Sequence, residues 1–460
     1  MKKTLSLLLA FLSIGLCAND DLPDNFHITK LENGLEILVI EDASVPLVTL
    51  ELTVRNGAYT ESPEYDGLSH LYEHMFFKAN KDYPSQEAFM QRVAELGVVF
   101  NGTTSNERVN YFITLGKHNM QNGLEFLNSA MRYPMFLKEE MVKENVVVDG
   151  EFERAESNPG FFLQHAVSKA VAGDLYSRTN VIGDHDIIRS ATPEKMKIIQ
   201  EKYYYPNNTL LAVAGDVNRN DVVRMAKEIF GDWEPCDFDP FEKFPIPEFQ
   251  ALTEDTRLVV ENENQPVPVF MRTWVGPDTR NDVQATYTAD IFSTILSQKT
   301  STFYKEMVES GLAYQVQEYY QTRKYSGPIT AILVPNPEKI EEAYAKFNEQ
   351  IELWDSDDYF TDEQIATAKK MMAISDAYGQ EKTSDYVHTL TYWWCSADIP
   401  YYLNYVDNLN KVTREDLKRY VQTYIKGKNH VTGLLITPDM RAGLNVDGFF
   451  KTTTETKDEH

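Results

Sequence analysis

The 460-residue sequence predicts an α+β fold of two homologous domains, each an antiparallel sheet covered by helices. Three observations carry that expectation. In both halves, β-branched alternating stretches sit beside long amphipathic helical patterns. The run Leu35-Glu36-Ile37-Leu38-Val39-Ile40-Glu41, followed by Val45-Pro46 and an alternating strand, recurs as Arg257-Leu258-Val259-Val260-Glu261 with Val267-Pro268 and another strand. Between the copies, Asp232 to Thr256 is rich in Pro, Asp, Glu and Phe, the composition of a linker. The expected organisation is a signal peptide over 1–18, a first domain over 25–232, a linker over 233–256 and a second copy over 257–455.

The elements follow in chain order. Lys2 and Lys3 precede an apolar run from Leu5 to Leu16, too short to span a bilayer and followed by the small Ala18, as in a cleaved export signal. Cys17 raises lipid anchoring, which the bulky Leu16 before it disfavours. No other segment has the length and apolarity of a transmembrane helix, so the expected location is periplasmic or secreted. Only Cys236 and Cys395 remain after cleavage, enough for one optional disulfide. A net charge of −26 argues against nucleic-acid or anionic-membrane binding, since phosphate surfaces repel it, and 42% hydrophobic residues suffice for two to four compact units.

His70-Leu71-Tyr72-Glu73-His74 is the most informative motif. Leu68, Leu71, Tyr72, Met75 and Phe76 repeat at the spacing of a buried helical stripe, and Asp66 before Gly67 is placed to cap the helix start. On such a helix His70 and His74, four apart, can reach one ion while Glu73 points beside it. Catalytic zinc takes three protein ligands and keeps a fourth position open. The best third ligand is Glu151, which shares a helix face with Glu144 seven residues earlier; Glu144 can then accept a hydrogen bond from a ligand histidine. Gly150 inside this helix suggests a close backbone neighbour. The remaining histidines show no comparable spacing and read as structural or exposed.

His-x-x-Glu-His followed at this distance by Glu151 resembles the inverted zinc signature of the pitrilysin/insulinase metallopeptidases, the inverzincins. Gly67-Leu68-Ser69, Phe100-Asn101-Gly102-Thr103-Thr104-Ser105, Tyr205-Pro206-Asn207-Asn208, Ala214-Gly215-Asp216 and Gly311-Leu312-Ala313-Tyr314 are similar to that family's pattern in the expected order, from about Leu31 to Pro438. The resemblance implies a half-length, processing-peptidase-like chain forming half of a clamshell. It would be a zinc endopeptidase acting on unfolded peptides, with one Zn2+ per chain held by His70, His74 and Glu151 in the first domain, and Glu73 as general base. Cobalt and manganese also suit this ligand set. Asn101, Gly102 and Thr103 would lie on an edge strand that holds the substrate by main-chain hydrogen bonds, against the simpler reading of Asn101-Gly102 as a hairpin turn. Tyr314 would help hold substrate or oxyanion, against the simpler reading of a strand residue.

One departure stands out. The family commonly carries an Arg seven residues before that Tyr, where this chain has Met307. That points to a heterodimer whose partner supplies the Arg/Tyr pair, with a homodimer as the rival. A non-catalytic assembly or peptide-binding subunit is the alternative function, because fold does not fix activity. The second copy, at Ala285-Thr286-Tyr287-Thr288-Ala289-Asp290, has no His-x-x-Glu-His, so only the first half can hold the metal.

Overall fold

A computed structural model describes residues 22–173, 175 and 179–453, so the expected signal peptide and Cys17 lie outside the described residues. The first sheet is built from β1 (Phe26–Lys30), β2 (Glu36–Glu41), β3 (Leu47–Val54), β4 (Val99–Thr104), β5 (Val109–Gly116) and β6 (Thr209–Gly215), in the order β1-β2-β6-β3-β5-β4. The second contains β7 (Thr256–Glu261), β8 (Val269–Val275), β9 (Ala313–Tyr320), β10 (Pro328–Pro335) and β11 (Val431–Ile436), in the order β7-β11-β8-β10-β9.

Without β1, the two orders are the same, which gives the repeated sequence pattern its structural meaning. Each sheet departs from the expected all-antiparallel pairing at one place. A late strand, β6 or β11, returns to lie parallel to the first strand of its repeat, β2 or β7. Such pairing requires a long crossover, and both are supplied by helical segments.

Five helices of the first half position the site: α1 (Leu68–Phe76), α2 (Gln86–Leu96), α3 (Met120–Arg132), α4 (Lys138–Glu156) and α5 (Pro159–Ala172). Leu50 and Leu52 of β3 join Leu71 and Met75 of α1, Phe89 of α2 and Phe126 of α3 in the first core. The second core gathers Phe270, Phe292, Phe347 and Trp354.

The opposite faces of the sheets are closed by an exchange of helices between the halves. Helix Thr383–Ser396 lays Tyr386, Val387, Leu390 and Trp394 on Leu38, Ile40, Leu210 and Ala212 of the first sheet. Reciprocally, α5 lays Leu163, Val167 and Val171 on Leu258, Met271 and Leu435 of the second. Gly433 permits that approach, since a Cβ there would come within 2.6 Å of Leu163 and Val167. Burial on both faces explains why β6 reads as a nearly continuous apolar run. At the first contact, buried Glu51 of β3 accepts hydrogen bonds from Asn110 (2.6 Å), Thr53 (3.0 Å) and Thr391 (2.5 Å), and pairs with His388.

Cys236 and the buried Cys395 are both free, so the optional disulfide does not form. The stretch 233–256 holds one short helix, Pro240–Lys243, capped by Asp239.

Glu318 of β9 is buried, with the Ser293 hydroxyl as a polar neighbour. Burial, with Asp290 nearby, pushes its pKa up to about 8. A raised acid pKa means that stability is full below the unfolded value near 4.5 and declines as pH rises toward 8. Glu318→Gln is therefore expected to raise stability by about 4 kcal/mol at pH 8 and change little at pH 4.5. Urea midpoints at the two pH values check this, and equal effects at both would disprove it.

Candidate metal centre

α1 begins at Gly67, whose left-handed φ of 86° and closeness to Ile182 leave no room for a side chain. Asp66 does not cap the helix as expected. Glu61 does that work from outside the local sequence, accepting hydrogen bonds from the N–H groups of Gly67 (2.9 Å) and Ser69 (2.7 Å). The expected stripe is buried throughout: Leu68, Leu71, Tyr72, Met75 and Phe76 face the first core. That orientation turns His70 and His74 toward α4, with their Nε2 atoms 3.3 Å apart.

On α4, Glu151 presents Oε2 3.7 Å from each histidine Nε2. Donors held about 2.0–2.2 Å from a tetrahedral ion lie roughly 3.3–3.6 Å from one another, so this trio fits zinc with minor adjustment of side chains. Neighbouring acids are committed elsewhere. Asp149 pairs with His185 (2.6 Å) and Arg189 (2.9 Å), and Glu156 with His185 (3.2 Å). Among the described residues, His70, His74 and Glu151 form the one group of His, Cys, Asp and Glu able to hold a metal ion.

Electrostatics prepare the two imidazoles differently. Burial, aided by the neighbouring His74, pulls His70 down to about 4 and keeps it neutral, the form that ligates metal. Its buried Nδ1 has no hydrogen-bond partner among the described residues. Burial also disfavours charge on His74, but the Glu144 hydrogen bond and the charges of Glu73, Glu144 and Glu151 outweigh it and raise its pKa. His74 Nδ1 lies 2.8 Å from Glu144 Oε1, so a proton held there leaves Nε2 free to ligate. Glu144 is itself held by Lys78 at 2.5 Å, and despite its burial the His74 and Lys78 contacts lower its pKa.

Glu73 lies beside the triad and accepts a hydrogen bond from Thr104 Oγ1 at 2.7 Å. Burial raises its pKa against the opposing pull of Thr104 and His74. Gly102 is required next to it, because a Cβ there would fall 2.8 Å from Glu73 Cγ. His70, Glu73, Gly102, Thr103, Glu151 and Arg154 contribute to the lining of a cavity of about 400 Å³.

Other expected residues fall in more varied places. Asn101, Gly102 and Thr103 lie within β4, the edge strand next to α1, and not in a turn. Gly150 has nothing within 4 Å of its missing side chain, so no second backbone approaches it and nothing in the structure explains it. Tyr314 is exposed on edge strand β9 and is absent from the lining of the metal cavity. Met307 is fully buried in the second core, so a guanidinium could not simply replace it there. Sequence reasoning missed Thr104, Lys78 and Arg154. Lys78 follows His74 by four residues, and Thr104 follows Gly102 by two on one strand face, so both carried a periodicity signal.

Comparisons with known proteins bear on the family and the fold. Residues 36–183 match the family model described as Insulinase (Peptidase family M16), and residues 190–372 match Peptidase M16 inactive domain. An uncharacterized zinc protease of Rickettsia felis is 26% identical over 78% of this chain and 85% of its own length. The probable zinc protease PqqL of Haemophilus influenzae is 26% identical over 65% of this chain, which spans only 34% of that protein. Among solved structures, a protease from Helicobacter pylori superposes with a TM-score of 0.79 at 23% identity, covering 89% of this chain and 99% of that one. The periplasmic protease PqqL from Escherichia coli gives 0.74 at 15% identity, covering 92% of this chain and 49% of that one. With both family models matched in order across most of its length, this chain belongs to the insulinase family of peptidases, M16.

Proposed function

We propose that the chain is an exported zinc-dependent endopeptidase that hydrolyses unfolded peptides as one half of a dimeric chamber. The observation that carries this reading is the convergence of His70, His74 and Glu151 from two helices, with Glu73 beside them in one cavity. When bound, zinc supplies Lewis-acid chemistry, making a water nucleophilic near neutral pH and polarising a carbonyl. Glu73 takes the proton from the attacking water and returns it to the leaving amine. Its raised pKa and Thr104 contact suit both transfers. Glu144 fixes the His74 ring through Nδ1. The free edge of β4, at Asn101, Gly102 and Thr103, offers main-chain groups to an extended peptide, which would join the sheet as a further strand.

One ion per chain follows from the lack of the motif in the second half. Location outside the cytoplasm is supported by the charged and apolar first residues and by the Escherichia coli neighbour, a periplasmic protease. Tyr314, exposed and away from its own cavity, would serve the metal site of a second chain. With Met307 buried, a related subunit carrying Arg and Tyr is the favoured partner, ahead of a second copy.

The zinc-loaded chain, alone and with any subunit that copurifies, is expected to cleave an unstructured fluorogenic peptide mixture, and a chelator is expected to stop it. Stoichiometric zinc without cleavage in either preparation would overturn the reading in favour of a non-catalytic subunit. Full activity of a dimer containing only this chain would remove the unlike partner.

A further inference from the structure

The metal cavity contains a cation that the proposed reaction does not use. Arg154 follows Glu151 by three residues on α4, which puts both on one helix face, and it lines the same cavity as His70 and Glu73. Two other acids of α4 are committed elsewhere: Asp149 and Glu156 hold His185, and Asp149 also holds Arg189. Among the described residues the guanidinium of Arg154 makes no ion pair, while Arg132, Arg189 and Arg280 each hold a carboxylate. Arg154, exposed on α4, thus borders the space where a peptide would lie with its guanidinium fork unpaired.

The chemistry that this fork recognises is a carboxylate, which it can bind through two parallel hydrogen bonds. Local charge favours the same ligand. A divalent ion on the triad offsets Glu73 and Glu151, and Arg154 then makes the cavity positive. The chain as a whole carries −26, but its outer acids are screened beyond about 8 Å at physiological salt, so the near field decides. One helical turn advances about 5.4 Å and one extended residue about 3.3 Å, so Arg154 addresses a group one or two residues from a bond held at the triad.

We propose that Arg154 is a specificity residue that selects peptides bearing a carboxylate, either an Asp or Glu side chain or a free C-terminus, one or two residues from the scissile bond. The inference rests on the peptidase reading only in requiring that peptides enter this cavity, so its test reads binding and not turnover. Zinc-loaded Glu73→Gln protein is titrated with fluorescein-labelled peptides of one length. One carries an internal Glu and an amidated end, one carries Gln and a free terminal carboxyl, one carries Gln and an amidated end, and one carries Lys and an amidated end.

At least one carboxylate peptide is expected to bind about tenfold more tightly than the neutral one, and the first two peptides separate side chain from terminus. Adding Arg154→Gln should equalise them with zinc content unchanged, and Arg154→Glu should shift the preference to the Lys peptide. Undetectable binding of both carboxylate peptides, equal binding of all four, or a preference that survives Arg154→Gln overturns the proposal. If the preference holds but the zinc-loaded wild-type chain, alone or with its copurifying subunit, cleaves none of the peptides, the peptidase reading fails and the carboxylate site stands.

Discussion

Glu73→Gln is expected to keep the full zinc content of the protein and to lower peptide cleavage by about 10²–10⁴-fold, the usual contribution of a positioned proton carrier. The substitution nearly conserves shape. An amide at this position still fits against Gly102, where space is tight, and its oxygen can still accept the Thr104 hydroxyl at the present 2.7 Å separation. What it loses is the capacity to take and return a proton. Because Glu73 is not one of the three clustered donors, the metal stays. Single-turnover rates and elemental analysis of the same preparations decide the matter. Unchanged cleavage would place the base elsewhere, whereas loss of zinc would make Glu73 part of the metal cage.

His74→Ala should abolish zinc-dependent stabilisation. With free zinc a thousandfold above its dissociation constant, a ligand that binds only the native state stabilises it by about 4 kcal/mol. Thermal unfolding with and without zinc should show this rise in the wild type and none in His74→Ala, since the donor lies 3.3 Å from His70 Nε2 and 3.7 Å from Glu151. Glu144→Gln makes the graded companion, weakening zinc by about 10–100-fold without removing a ligand. Lys78, now paired with Glu144, loses its counter-charge in that variant. An undiminished zinc shift in His74→Ala would exclude the triad as the binding site, and a chelator titration unchanged in Glu144→Gln would remove its positioning role.

The legible parts of this site were those encoded locally. The stripe from Leu68 to Phe76 and the histidines between its members belong to one helix, so one period specified both packing and ligand direction. Glu144 and Glu151 were legible for the same reason on α4. Features that depend on distant segments were not. Asp66 stood at the right place to cap α1, but Glu61 reaches the free N–H groups through a folded-back loop. The parallel pairs β2/β6 and β7/β11 join strands far apart in sequence, so no neighbouring pattern announced them. Position 307 carried a residue type in the sequence but not its burial, and burial is what rules out a simple Arg replacement. Arg154 was not legible at all, because nothing in the local sequence shows that it borders the metal cavity.

The reciprocal covering of the two sheets also sets a timetable. All six strands of the first sheet have been synthesised by Gly215, yet Leu38, Ile40 and Leu210 stay uncovered until helix Thr383–Ser396 is made. At roughly 5–20 residues per second, that delay lasts about 10–40 s. For that interval the nascent first half has an open apolar face, so its native packing is completed only when the second half exists.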